Sequence, residues 1–347
     1  MGNRIVERTW DCAANWHRID AEPMSILRLA LFLGVLSANG AEVTWIKVIP
    51  KATDPEIGDT YNTPHYVYVN RGIVVERQPF LPSDRHQLLL YLTGTGGHWQ
   101  DAKAFCDLAA DLGYHVVNLM YPDNMPATVC AGDDDPNSFE DFRMAIIRGG
   151  QSRHINIERA DCIENRLAKL LIYLRPRRPK EDWGQFLNPD GTIKWEAIAV
   201  SGQSQGGGHA ALIAIKHRVA RVICTGAPKD YSRRLDAPAA WYGDESATPK
   251  SCFFTFNHRQ DIKGCTPEHL LRNMAALKLD AFGPPIDAAT EPYPYRHTRI
   301  LTTSYPAVTV DGESSVGAKT AHTSVIANAN ASRWNQVWTY MLTEAAP

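Results

Sequence analysis

The stretch Ile198-Ala-Val-Ser201-Gly202-Gln203-Ser204-Gln205-Gly206-Gly207-Gly208-His209 passes from an apolar run into glycines that surround one serine. It reads as a buried strand, a very tight turn and a helix start, with Ser204 at the apex. Gly202 and Gly206, two residues either side of the serine, remove the Cβ atoms that would block so sharp a turn. The hydroxyl is left exposed above a sheet edge. Ala210 to Lys216 (Ala-Ala-Leu-Ile-Ala-Ile-Lys) then reads as a helix buried on most sides. A phosphate-binding Walker loop would end in Gly-Lys-Ser/Thr, and His209 stands where that lysine is required.

Composition sets the frame around this turn. The 347 residues are 44% hydrophobic and 21% charged, enough for one large α/β domain or two small ones. Thirty-six basic residues stand against 38 acidic ones, a net charge of −2. There is thus no electrostatic reason to expect nucleic acid or an anionic membrane as partner, and small or neutral substrates are the expectation.

The N-terminus reads differently from the rest. Met1 to Pro23 is polar and aperiodic, and is expected to be a start-site miscall or a disordered extension. From Met24 to Ala41 a single Arg28, a short apolar core and small closing residues form the pattern of a secretory signal peptide. That core falls short of the roughly 20 residues of a spanning helix, so no stable membrane insertion is expected after cleavage. The expected organisation is therefore a leader over 24–41 and one domain over 42–347, in a secreted or periplasmic protein. Six cysteines follow the leader: Cys106, Cys130, Cys162, Cys224, Cys252 and Cys265. An even count suits an oxidising compartment. Cys252 and Cys265 bracket a strand end and a short loop and are the expected disulfide, whereas Cys224 reads as a small buried hydrophobe.

Strands are expected at Val43 to Ile49, Tyr66 to Val75, Gln87 to Leu92, His115 to Met120, Ile198 to Val200, Val219 to Cys224, Cys252 to Phe256 and Arg299 to Ser304. Helices are expected at Gln100 to Leu112, Ser138 to Ile147, Ile157 to Leu174, Pro267 to Leu279 and Ala331 to Leu342. Alternation of strand with helix predicts a mostly parallel sheet with crossover helices.

A serine hydroxyl is a poor nucleophile unless a histidine takes its proton and an acid orients that histidine. In a parallel α/β sheet such groups come from loops at the carboxyl ends of strands. Asp261 follows the strand Phe253 to Phe256 and is the candidate acid; Asp230, Asp236 and Asp244 remain rivals. His322 lies in a polar loop between the last strand and the closing helix and is the candidate base. An oxyanion needs two preset donors. The Gln205 backbone N–H is one; the other is expected from the turn Thr93-Gly94-Thr95-Gly96-Gly97, from Thr95 or failing that Gly96. The glycine spacing there does not fit a dinucleotide-binding GxGxxG loop. His98, Trp99, Trp241 and Tyr242 are candidates to line a substrate pocket.

Taken together, the elbow Gly202-Gln-Ser-Gln-Gly206, the Thr93-Gly-Thr-Gly96 turn in place of the usual His-Gly oxyanion motif, Asp261 and His322 resemble the α/β-hydrolase fold superfamily, over nearly all of the chain after the leader. The order Ser204, Asp261, His322 is that family's order. The chain looks most similar to secreted bacterial esterases. The resemblance implies a sheet of about eight strands with helices on both faces, and ester hydrolysis without metal or organic cofactor. The segment Pro228 to Pro249 occupies the place of a lid but is too short to shield a deep tunnel, so the expected substrate is a small to medium ester or a polymer-linked acyl group. A serine peptidase or amidase would require an acidic pair near the site, for which Glu140-Asp141 and Asp133 to Asp135 are available. A non-catalytic binding protein on the same fold is the other alternative.

Overall fold

In the computed structural model, residues 43–70, 85–307 and 318–345 are described. They all belong to one compact unit. The expected leader, and residues 71–75 of the second expected strand, lie outside the described residues.

The strands of the main sheet are β1 (Val43–Val48), β2 (His65–Asn70), β3 (Leu88–Leu92), β4 (His115–Leu119), β5 (Ile198–Gln203), β6 (Arg221–Thr225), β7 (Phe253–His258), β8 (Ile286–Asp287) and β9 (Ile300–Thr303). They form one sheet in the order β1-β2-β4-β3-β5-β6-β7-β9-β8. Only β2 runs against its neighbours; from β4 to β8 every pairing is parallel. Besides the single turn Pro50–Thr53, the α-helices are α1 (Lys103–Asp111), α2 (Ser138–Arg148), α3 (Ile163–Arg177), α4 (Gln205–Lys216), α5 (Pro267–Ala276), α6 (Ala318–Ser324) and α7 (Ala331–Thr343).

Both faces of the sheet are covered, which is why β3 reads Leu-Leu-Leu-Tyr-Leu without a polar break. Leu88, Leu90 and Leu92 point into one core with Phe142 of α2, Leu167 and Leu171 of α3 and Leu212 of α4. Leu89 and Tyr91 point into the other, with Phe105 of α1 and Trp334, Trp338 and Met341 of α7. This is the α/β-hydrolase architecture.

Several expectations are corrected in detail. The strand beyond the eight expected is β8, the two-residue edge Ile286–Asp287, too short to leave a period in the sequence. His322 rides on the short helix α6 instead of a loop. Helix α3 begins six residues later than expected and runs through Pro176 to Arg177; near a helix end a missing N–H removes only one bond of the last turn.

The expected Cys252–Cys265 disulfide is absent. All six cysteines from Cys106 to Cys265 are free thiols, and five of them are buried. Cys252 precedes β7 and Cys265 lies beyond the loop at its other end. Six strand residues rise roughly 20 Å, whereas a disulfide needs Cα atoms within about 7 Å. Bracketing an extended strand separates two cysteines.

Candidate active site

Parallel strands bring their carboxyl ends to one edge, and the order β3-β5-β6-β7 sets four successive loops side by side there. These are Thr93–Gly97 after β3, the elbow after β5, Gly226–Lys229 after β6 and the Asp261 loop after β7.

Ser204 caps α4 with φ 54° and ψ −115°. A non-glycine residue held at that backbone angle is strained, and the surroundings must enforce it. They do so closely. The Ser204 N–H donates to Thr225 O of the neighbouring strand at 2.9 Å. A Cβ on Gly202 would strike the backbone of Gly206, and one on Gly206 would strike the carbonyl of Leu92. The elbow therefore presses directly against the end of β3. Gly94 completes the approach, since a Cβ there would lie 3.3 Å from Ser204 Cβ.

Asp261 and His322 meet although 61 residues separate them: His322 Nδ1 lies 2.7 Å from Asp261 Oδ2, with both side chains at most 3% exposed. A carboxylate can only accept, so Nδ1 carries the proton and Nε2 keeps its lone pair. The histidine lies next to the elbow. Gln203 Nε2 donates to the His322 carbonyl at 3.4 Å, and a Cβ on Gly226 would sit 3.3 Å from His322 Cε1.

Two further contacts hold Asp261. Its Oδ1 accepts the Lys263 N–H at 3.0 Å. The Lys229 ammonium lies 2.6 Å from Oδ2, itself only 9% exposed. Burial alone would raise the Asp261 pKa; the hydrogen bond and charge of His322, with the Lys229 charge, outweigh it and hold the carboxyl below its ordinary value. Burial, the largest influence, also lowers His322, with the Lys229 and Lys263 charges adding to it against the pull of Asp261. At neutral pH the pair is a carboxylate with a neutral imidazole, the state a general base requires.

The elbow helix is fixed at its first residue. Gln205 Oε1 accepts from Thr95 Oγ1 at 2.8 Å and from Ala127 N–H at 3.0 Å, tying α4 to the β3 turn. Its carbonyl accepts from Arg143 Nη1 at 2.9 Å. Arg143 in turn donates through Nε and Nη2 to the two oxygens of Asp230, each at 2.6 Å. Gly208 is glycine for the same reason, because a Cβ there would occupy the space of the Arg143 guanidinium. As the first residue of α4, Gln205 has an N–H without an intrahelical acceptor. In the turn after β3, the Gly96 N–H is used by Asp123 O at 3.0 Å. This removes the alternative donor and leaves Thr95. Asp123 also accepts from Thr93 Oγ1 at 3.2 Å, and burial pushes its carboxyl up to about 6.

The remaining candidates fall away from the chemistry. Asp230 is committed to Arg143, Asp236 pairs with Arg272 at 3.3 Å and Asp244 with Lys216 at 3.0 Å. Trp241 is 1% exposed and its indole N–H donates to Asp230 Oδ2, so it packs behind the site and lines no pocket. Tyr242 is equally buried, its hydroxyl 2.8 Å from the Asp230 backbone nitrogen. Trp99 is stacked on Tyr66 at 3.9 Å as part of the core. His98 is exposed and caps the turn Trp99–Ala102. Arg143 was within reach of the sequence, as an arginine inside the apolar stripe Phe139, Phe142, Ile146 of α2. Lys229 carried no such signal.

A second Ser, Asp, His set is built differently. Ser138 Oγ donates to Asp133 Oδ2, and His154 Nε2 is 2.6 Å from that same oxygen. The carboxylate stands between hydroxyl and imidazole, so the histidine has no hold on the serine proton. Among the described residues, Cys130, Asp133 and His154 form the one grouping whose donor atoms lie within 4.8 Å of one another, as a metal would require. Hydrogen bonds within the group, a Cys130 Sγ bond to Ser138 O at 3.4 Å and an Arg153 pair at 3.4 Å already use them.

No family model and no curated protein sequence matches the chain. Solved structures do. An esterase from the Planctomycetes species Thermogutta terrifontis, with propionate bound, is 16% identical over 69% of this chain and 79% of that one, with a TM-score of 0.33. A putative dienelactone hydrolase from Klebsiella pneumoniae is 11% identical over 88% and 100%, TM-score 0.39. An esterase B from Lactobacillus rhamnosis, inhibited by a tributyrin phosphonate, is 14% identical over 91% of each chain, TM-score 0.39. With TM-scores below 0.5, the site's chemistry rests on its own geometry.

Proposed function

We propose that this protein is a serine hydrolase that cleaves carboxylic esters through an acyl-enzyme. Ser204 attacks the ester carbonyl as His322 Nε2 takes its proton, and Asp261 orients the ring and stabilises the imidazolium. The backbone amides of Gln205 and Thr95 receive the oxyanion. His322 returns the proton to the departing alcohol; water, activated by the same histidine, then releases the acid and restores Ser204. The observation that carries the reading is the buried 2.7 Å His322–Asp261 bond beside a serine held at φ 54°.

The substrate proposed is a small to medium ester or a polymer-linked acyl group, because Pro228 to Pro249 offers no long cover for an acyl chain. Export is likewise proposed, on the sequence of Met24 to Ala41 alone; with six cysteines free, their even number no longer supports it.

The test is labelling by a fluorophosphonate and turnover of p-nitrophenyl esters of increasing chain length, run beside aminoacyl amides. Ser204 should be the labelled residue, and Ser204→Ala should remove both labelling and ester turnover while keeping the fold. Substantial residual turnover in Ser204→Ala rejects the mechanism. Faster amide than ester cleavage would make the protein an amidase, and an unlabelled wild-type chain would make it a binding protein.

A further inference from the structure

We propose that Lys229 is a positioning residue of this site: it holds the Asp261 carboxylate by the same oxygen that His322 uses, and so keeps His322 available as a base in mildly acidic solution. The inference rests on the role given above to Ser204, His322 and Asp261.

The geometry separates this role from simple anchoring. Lys229 Nζ donates to the carbonyls of Lys263 at 2.8 Å and Asp261 at 3.4 Å, which suffice to pin the acid loop to the end of β6. Its third contact, at 2.6 Å, goes to Asp261 Oδ2, the atom 2.7 Å from His322 Nδ1. One oxygen thus serves an ammonium and an imidazole together. When His322 takes a proton, two cations share that oxygen, and contacts of 2.6 and 2.7 Å to it leave them no more than 5.3 Å apart. Their repulsion in a buried place opposes protonation of the ring.

Among the described residues, burial of the ring and the Lys263 charge act in the same direction, but Lys229 is the buried cation that shares the ring's own acceptor. Asp261 attracts the proton. Lys263, from the acid loop, opposes protonation less than Lys229 does, being exposed and screened by solvent. On β7, both ring nitrogens of His258 are engaged away from His322: Nδ1 accepts the Gln260 N–H at 3.0 Å and Nε2 lies 2.8 Å from Tyr305 O. Gln203 and Gly226 carry no charge. The burial of Lys229 beside Asp261 follows from the topology, since their loops leave the adjacent strands β6 and β7.

The experiment is an NMR titration of the His322 ring in Ser204→Ala, its resonance assigned by its loss in His322→Gln. Adding Lys229→Met, which keeps the stem and deletes the charge, should move the titration up by about one to two pH units. Lys229→Arg, which restores the charge, should bring it back. In the chain with Ser204 intact, the acid limb of kcat/KM should move with it. Lys229→Gln, which keeps a donor without the charge, replaces Lys229→Met if the latter does not fold, with the same expected shift. An imidazole titration unmoved by loss of the charge overturns the proposal. Absence of ester turnover in the wild-type chain would instead reject the hydrolase reading, and the titration would still decide the role of Lys229.

Discussion

Asp230→Ala tests whether the charge pair behind the elbow carries the stability its burial implies. Asp230 and Arg143 are joined by two bonds of 2.6 Å, with side chains at most 3% exposed. With charge centres about 4 Å apart and an effective dielectric constant of about 20, their attraction is about 4 kcal/mol. Deleting the carboxylate leaves a buried guanidinium with the Gln205 carbonyl as its principal acceptor. Broken buried pairs of this kind cost about 3–5 kcal/mol. At roughly 2 °C per kcal/mol for a large domain, the melting temperature should fall by about 6–10 °C. The double variant Arg143→Met/Asp230→Ala buries no unpaired charge and should regain at least about 2 kcal/mol over Asp230→Ala. Urea unfolding followed by circular dichroism, on both single variants and the double, measures the cycle. A loss below about 1 kcal/mol in Asp230→Ala, or a double variant no better than the single, refutes the reasoning.

Other outcomes follow from individual contacts. Gly206→Ala drives a Cβ into the Leu92 carbonyl, so the variant should be insoluble or unreactive to fluorophosphonate; a soluble and fully active form would contradict the elbow geometry. Because burial and then the Lys229 and Lys263 charges lower His322, the acid limb of kcat/KM should lie below pH 6.5, and a limb above that value argues against His322 as the base. Asp123 is raised to about 6 by burial. Its folded state favours the protonated acid, so stability is lost as pH rises from its unfolded value near 4 through about 6. The stability of Asp123→Asn relative to wild type should therefore grow over that window, and a constant difference between pH 4.5 and 7.5 would show otherwise. With six free thiols, a reducing agent should leave the melting temperature of the chain from Glu42 onward unchanged; a clear drop would reveal a disulfide.

The elbow could be read from sequence because its requirements are local: two Cβ atoms are forbidden, and the residues that omit them are glycines at fixed spacing. Asp261 and His322 were legible at one remove, through strand order, since each had to follow a strand later than Ser204. What escaped depends on contacts across the sheet. Lys229 reaches Asp261 only because β6 and β7 are neighbours, and Arg143 meets Asp230 across 87 residues. Cys252 and Cys265 misled because proximity in sequence was read as proximity in space, with an extended strand between them. Trp241 misled because an aromatic residue in an irregular segment looks the same whether it faces a pocket or a buried ion pair.

The 61-residue interval between Asp261 and His322 has a consequence for the order in which reactivity arises. The serine and its acid both precede β9, whereas the base arrives on α6, just ahead of the closing helix. That helix is fastened by Tyr114 and Arg221, whose side chains donate to the carbonyls of Leu342 and Met341. Trp334 and Trp338 of the same helix donate to the carbonyls of Ser324 and Val325, holding the segment directly after His322. A chain that ends before α6 holds Ser204 and Asp261 but not His322. On the proposed mechanism, the proton acceptor is thus the last part of the site to be made, and its seat depends on the docking of the closing helix.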